Sequence, residues 1–160
     1  MTLSRAVSVL LAASAVNLAL MVPGGFVETR SFPGYGVAVL GAFNIFLTLL
    51  GLGSLVLAWR AFRAHPVGKW AVLAGVAFVA VYGLDLAHIF PVAAEPMTGL
   101  LAAMEWIGTV LGLALIAAGY PLKHQQSRQP VQTSPLPRWL FIAMAAVGVA
   151  IIVFATQSVT

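Results

Sequence analysis

The chain has 160 residues, of which 61% are hydrophobic and 8% are charged, and its mean hydropathy is +1.02. Soluble globular domains carry about 25% charged residues, so this composition excludes a water-soluble domain. The sequence contains no cysteine, which excludes disulfide bonds, thiolate nucleophiles and cysteine-based zinc or iron–sulfur sites. Eight Lys and Arg outnumber four Asp and Glu. These basic residues flank apolar segments, a pattern typical of membrane topology and not of nucleic-acid binding.

Five apolar segments follow in chain order, each close to the length of about 20 residues that a helix needs to cross a bilayer. They comprise residues 6–22, 37–59, 70–90, 99–119 and 139–156. The connections between them hold helix breakers such as Pro23, Gly24 and Pro66. Because lipid offers no partner to an exposed backbone amide, each segment is expected to be a helix. The sequence therefore predicts an all-α integral membrane protein, with five transmembrane helices in a single domain over residues 1–160.

The first segment has a second interpretation. Arg5, a short apolar run and the small residues 13–15 resemble a secretory signal peptide with a cleavage site. The apolar run continues to Val22, however, as a membrane span would. Cleavage would leave the other four segments unchanged, so we expect a first transmembrane helix and keep removal of residues 1–15 as the alternative.

The last two segments differ in what they offer to neighbouring helices. Gly108 and Gly112 in the fourth segment have the spacing that permits close helix packing. Residues 140–155 of the fifth segment carry no polar side chain, so this helix has no face that demands a specific partner. It follows residues 120–138, whose Pro, Gln and Ser content predicts a flexible loop. We therefore expect a four-helix core bundle and a peripheral fifth helix, which can also contact another subunit.

The basic residues predict the orientation. Seven of the eight fall on alternate connections: Arg5, Arg60, Arg63, Lys69, Lys123, Arg128 and Arg138. Only Arg30 lies on the other side. Positive charge stays in the cytoplasm, so the N-terminus and the loop 120–138 are predicted to be cytoplasmic and the C-terminus to be outside. The expected location is the cytoplasmic, or inner, cell membrane.

The strongly polar residues of the spans gather in the outer half of the predicted bundle. At about 1.5 Å per residue they occupy a layer about 3–11 Å below the outer boundary. A carboxylate within a span costs about 2–3 kcal/mol and is expected to face protein or water. Positions 82, 85 and 88 are three apart and share one helix face, and the first outer loop adds two charges. The predicted cluster comprises Asn17, Glu28, Arg30, Asn44, Tyr82, Asp85, His88 and Glu105.

Three interpretations of this cluster are open. In the first it is structural, and Arg30 pairs with Asp85 or Glu105. In the second it is an outward-facing site for a small ligand or ion, coupled to protons through its carboxylates and histidine, as in a transporter. In the third, Asp85, His88 and Glu105 bind a divalent metal with one open water position, as in an intramembrane hydrolase or transferase. A single histidine favours a harder ion than zinc.

The sequence favours a non-catalytic function. Ser31 lacks the glycine spacing of a nucleophile elbow, and no phosphate-binding glycine motif is present. No residue is assigned as catalytic. We expect a small accessory or ligand-binding bundle, surrounded by the lipid bilayer and acting as a homo-oligomer or as a subunit of a membrane complex.

Overall fold

A computed structural model describes residues 2–126 and 138–158, and these residues form five α-helices and no strand. The helices are α1 (Leu3–Leu20), α2 (Val37–Phe62), α3 (Gly68–Leu86), α4 (Gly99–Gln126) and α5 (Arg138–Ser158). By length and composition, α1 to α4 could each cross a membrane. The described part of α5 contributes a shorter apolar stretch, Ile142–Gln157. The all-helical prediction is confirmed, and the four long apolar helices indicate a membrane helical bundle.

The outer surface of the bundle is apolar. Large side chains such as Leu49, Trp106 and Val110 are each more than 60% exposed. A continuous apolar surface of this kind is rare on proteins dissolved in water. The arrangement fits helices that face lipid.

Glycine sets the closest helix contact, between α3 and α4. A Cβ atom on Gly75 would lie 2.7 Å from the carbonyl oxygen of Gly112, and one on Gly112 would lie 3.0 Å from the carbonyl oxygen of Gly75. A Cβ atom on Gly108 would overlap the ring of Tyr82. The glycine step at 108 and 112 therefore serves packing within the chain, where small residues allow two backbones to touch.

The fifth helix packs beside α2. A Cβ atom on Gly148 would lie 3.3 Å from Cδ1 of Leu52, so the two helices meet closely at this glycine. Nearer the other end of α5, the side-chain amide of Asn44 donates a hydrogen bond to the hydroxyl of Thr156 at 3.2 Å. This contact lies at the end of α2 that follows the first loop, which is where the polar residues gather.

The fourth helix runs further than the sequence predicted. The loop was expected to begin at residue 120, but α4 continues through Pro121 to Gln126. The extra turns are held by tertiary contacts: Leu122 is buried, and Oε1 of Gln126 accepts hydrogen bonds from the backbone N–H groups of Val67 and Gly68, both at 2.9 Å. Those N–H groups begin α3 and have no partner within their own helix. The rest of the predicted flexible loop, residues 127–137, lies outside the described residues.

The third helix ends earlier than predicted. It stops at Leu86, and His88 adopts a left-handed backbone conformation with φ of 55°. The backbone N–H groups of Ile89 and Phe90 then both bond to the carbonyl of Leu84, at 2.9 and 3.3 Å. A left-handed residue just past a helix terminates it. Hydropathy alone does not reveal this stop, because the apolar run continues to residue 90.

Candidate functional site

The site is built around Arg30, which lies in the loop between α1 and α2. Its guanidinium donates from Nε to Oε1 of Glu28 at 3.0 Å and from Nη2 to Oε2 at 2.6 Å. The backbone N–H of Arg30 also donates to Oε1 of Glu28 at 3.0 Å. Both residues are buried. Glu28 and Arg30 therefore hold the loop together through contacts within the loop itself.

The same guanidinium joins the loop to α3. Nη1 of Arg30 donates to Oδ1 of Asp85 at 3.2 Å, and Nη2 donates to Oδ2 at 2.6 Å. This two-point geometry suits the flat guanidinium fork and gives strong, oriented pairing. Asp85 lies in the last turn of α3, so the pair fixes the loop over the end of that helix. The structural interpretation pairs Arg30 with Asp85 or Glu105, and the two-point bonds are to Asp85.

A third carboxylate, Glu105 of α4, completes what we call the charged cluster: Glu28, Arg30, Asp85 and Glu105. Oε1 of Glu105 lies 3.8 Å from Nη2 of Arg30, and its side chain is 1% exposed. Its other oxygen, Oε2, is buried and has no hydrogen-bond partner among the described residues. We call this atom the open oxygen. Buried polar atoms are nearly always hydrogen-bonded, so the open oxygen marks an unmet requirement of the site.

The charge of the cluster is unbalanced toward the negative. One guanidinium faces three carboxyl groups. Burial opposes the charged form of Arg30, but hydrogen bonds and charge attraction from Glu28 and Asp85 outweigh burial and raise the pKa of Arg30 above its ordinary value. Arg30 thus stays positive wherever the protein is folded. With all three acids ionised the cluster would carry a net charge of −2, which is costly to bury without a further positive partner.

Tyr82 and Asn17 form the floor beneath the carboxylates. The side-chain amide of Asn17 donates to the hydroxyl of Tyr82 at 3.2 Å and to the carbonyl of Met104 at 3.1 Å. The Tyr82 ring stacks on Phe78 at a centroid distance of 6.2 Å and occupies the space that Gly108 leaves open. These contacts tie α1, α3 and α4 together directly below the charged cluster.

A cavity of about 50 Å³, which we call the carboxylate cavity, adjoins the cluster. Its lining includes Glu28, Asp85 and Glu105 together with the aromatic residues Phe32, Phe43 and Tyr82. A void of this volume exceeds the space that one water molecule needs. The open oxygen therefore belongs to a side chain that borders a space large enough for a small polar group.

The predicted cluster residues do not all take part equally. Glu28, Arg30, Asp85 and Glu105 meet, while Asn17 and Tyr82 adjoin them. Asn44 lines the carboxylate cavity but uses its amide N–H to bond α5. His88 lies at the exposed edge of the cluster: its Nδ1 lies 3.1 Å from the backbone oxygen of Asp85, and with Arg30 and Asp85 it lines a further, open cavity.

The predicted metal site at Asp85, His88 and Glu105 does not assemble. Among the described residues there is no group of three His, Asp or Glu placed to hold a metal ion. The reason is the early end of α3, which puts His88 outside the bundle, while both oxygens of Asp85 are bonded to Arg30. The arrangement offers a cation an acidic, partly aromatic cavity instead of a set of converging metal ligands.

Sequence reasoning missed one polar contact near the site. The backbone N–H and the hydroxyl of Ser31 donate to Oε2 and Oε1 of Glu95, each at 2.7 Å, and the N–H of Ala94 donates to the carbonyl of Ser31 at 3.1 Å. We call this contact the loop clasp, because it joins the α1–α2 loop to the α3–α4 loop. The hydrogen bonds from the Ser31 N–H and hydroxyl lower the pKa of Glu95. The only signal in the sequence is that both residues lie in connections at the same end of the bundle.

Comparison with protein families gives one match. The sequence profile of a family described as Domain of unknown function (DUF8051) matches residues 3–135. The chain belongs to this DUF8051 family. The matched residues contain α1 to α4 and every residue of the charged cluster. Comparisons with curated proteins and with solved structures gave no match.

Proposed function

We propose that this DUF8051 protein is an integral protein of the cytoplasmic membrane, with the N-terminus inside and all five helices crossing the bilayer. The hydropathy of α1 to α4 supports this proposal. So does the position of Arg60, Arg63 and Lys69 at the end of the bundle opposite the charged cluster, because basic connections stay in the cytoplasm. In this orientation the cluster lies in the outer half of the membrane.

Within that bundle, the carboxylate cavity is a non-catalytic binding site for a protonated amine. The single observation that carries this proposal is the open oxygen of Glu105: a buried carboxylate oxygen beside a cavity, without a partner among the described residues. An ammonium group would supply both the missing hydrogen-bond donor and the missing positive charge. Arg30 does not bond this oxygen: four of its five N–H donors bond Glu28 and Asp85, and its contact with Glu105 is to the other oxygen, Oε1, at 3.8 Å.

The aromatic lining favours the same ligand. Phe43 and Tyr82 border the cavity together with the acids, and aromatic faces attract ammonium groups, most strongly where water is excluded. A cage of acids and rings is a recurrent way to bind an organic cation. It would bind a phosphate or a carboxylate poorly, because the net charge of the cluster repels anions.

A purely structural cluster would not need the third acid. Glu28 and Asp85 already give Arg30 two oriented partners and fix the loop over α3. When it is ionised, Glu105 adds a third buried negative charge whose contact with Arg30 is long, at 3.8 Å, so this charge costs free energy unless a further group pairs with it. Residues that lower stability while serving a ligand are common at binding sites.

The test compares thermal unfolding of the detergent-purified protein with methylammonium chloride and with sodium chloride at equal ionic strength. We expect methylammonium to raise Tm, because a ligand that binds only the folded state stabilises it in proportion to saturation. Glu105→Gln keeps the side-chain shape and removes the charge, so it should abolish this rise. A wild-type Tm that methylammonium leaves unchanged, or an equal rise in Glu105→Gln, would contradict the proposal.

The same variants separate a binding site from a structural cluster without any ligand. Glu105→Gln should leave Tm unchanged or raise it, because a buried acid with only a long contact to Arg30, at 3.8 Å, is replaced by a neutral amide. Asp85→Asn should lower Tm by about 5 °C, the equivalent of about 2 kcal/mol for a weakened hydrogen bond to a charged group. Glu28→Gln is the matched control and should behave like Asp85→Asn. If Glu105→Gln lowers Tm as much as these two, the cluster is structural.

A further inference from the structure

A second cavity lies beside the first and is almost entirely apolar. It measures about 90 Å³ and runs between α1, α2 and α5. Small and aliphatic side chains form it, including Ala15, Gly51, Leu52, Ile151 and Ala155. We call it the apolar crevice.

The two cavities share one wall. Leu18, Met21, Pro23, Asn44 and Leu47 line both the carboxylate cavity and the apolar crevice. Among these, only Asn44 carries a polar side chain, and its amide N–H is bonded to Thr156. A cavity lined by three acids therefore adjoins a space that suits a hydrocarbon, and the same five side chains border both.

We infer that the ligand of this site is an amphipathic primary amine, with its ammonium group at the open oxygen of Glu105 and its alkyl chain in the apolar crevice. This inference rests on the proposed function and names the class of molecule. The acids suit the ammonium group and the crevice suits the alkyl chain. Because the two cavities adjoin, one molecule that carries both groups fits both. Each methylene group buried from water is expected to increase affinity about fourfold.

The ligand is a free amine and not the headgroup of an ethanolamine phospholipid. In such a lipid a phosphate lies two carbon atoms from the amine, so it would approach the carboxylates as well. The cluster has three acids and one guanidinium, and that guanidinium is already bonded to Glu28 and Asp85. The acids would repel a phosphate there, and the guanidinium that could attract it is already paired with two of them.

The test is a titration series on the purified full-length protein in detergent, followed by calorimetry. Methylammonium, ethylammonium, propylammonium and butylammonium are the probes, and ethanol, propanol and butanol control for partition of the chain into detergent. We expect affinity to rise about fourfold per added carbon, with no binding of the alcohols. Glu105→Gln should lose binding of the whole amine series.

Two glycine variants on α2 locate the alkyl chain. Gly51 lines the crevice, and a Cβ there would lie 3.5 Å from Cδ2 of Leu18, so Gly51→Leu should fill the space and remove the chain-length dependence while methylammonium still binds. Gly53→Leu is the matched control, because a Cβ at Gly53 meets no described atom within 4 Å. It should retain the full series.

The outcomes distinguish this inference from the proposed function. If methylammonium binds but longer chains bind no better, the inference is wrong and the amine site stands. If no amine binds the wild-type protein, both are wrong. If a short-chain phosphatidylethanolamine binds as tightly as butylammonium, the assignment to a free amine is wrong.

Discussion

Arg30 has a role that no neighbouring residue could take over. Its planar fork contacts Glu28 along one edge and Asp85 along another, which a lysine ammonium cannot do in the same geometry. Arg30, which is the exception to the orientation rule among the eight basic residues, is buried in the bundle. Its place outside the basic connections follows from this pairing.

The loop clasp makes a prediction about acid. Ser31 bonds the ionised form of Glu95, so the folded-state pKa lies below the ordinary value of 4.5. The clasp therefore contributes its full stability above pH 4.5 and loses it as the pH falls through the lower folded pKa. We expect Glu95→Gln to lower Tm at pH 7, and the difference from wild type to close in acidic buffer. Thermal unfolding across a pH series measures this, and a difference that stays constant with pH would exclude the clasp as its source.

At the residue scale, the sequence revealed the acids better than their surroundings. Asp85 and Glu105 stand out because a charge inside an apolar segment must find a partner. Glu95 does not stand out, because an exposed acid in a loop is unremarkable until Ser31 is seen opposite it. His88 misled the sequence analysis, since helical spacing aligns it with Asp85 only if the helix continues past Leu86.

The positions of the helices were predicted better than their ends. Hydropathy locates the apolar segments well because each helix needs a long apolar surface. It does not locate helix ends, which depend on caps and tertiary contacts. The charge of Arg60 closes the apolar segment near residue 59, yet α2 continues to Phe62. The side chain of Gln126 lets α4 continue beyond Pro121 by bonding the start of α3.

The contact between α3 and α4 gives a prediction at the element scale. Gly108→Ala places a methyl group against the Tyr82 ring, and overpacking of this kind costs about 1–3 kcal/mol. We expect a lower Tm in detergent and weaker methylammonium binding, because Tyr82 lines the carboxylate cavity. Gly83→Ala is the control: a Cβ there meets no described atom within 4 Å, and alanine favours the helix by about 1 kcal/mol. Equal stability of Gly108→Ala and wild type would contradict this role of Gly108.

At the scale of the whole molecule, the orientation in the membrane decides whether the charged cluster lies on the cytoplasmic or the outer side. The lack of cysteine makes single-cysteine labelling clean. Phe26 is fully exposed in the α1–α2 loop, and Arg63 is exposed just past α2 at the opposite end. We expect a membrane-impermeant maleimide to label Phe26→Cys in intact cells and Arg63→Cys only after the membrane is disrupted. The reverse pattern would place the charged cluster on the cytoplasmic side.

The arrangement of the helices was only partly predictable. Short connections make α3 and α4 antiparallel neighbours, as the structure has them. The contact of α1 with α4 was beyond sequence reasoning, because it joins distant parts of the chain through particular groups. Asn17 reaching the carbonyl of Met104 is one of these, and a lone asparagine in an apolar segment does not name its partner.

The bond between Asn44 and Thr156 has a consequence for how a guest molecule arrives. It fastens α5 to α2 beside both cavities, while the ionic groups that hold the first loop in place belong to other elements. If the site binds a ligand as proposed, displacement of α5 from α2 would open the cavities toward the surrounding bilayer while the salt bridges of Arg30 stay in place. A molecule that dissolves in the bilayer would need no aqueous route to enter.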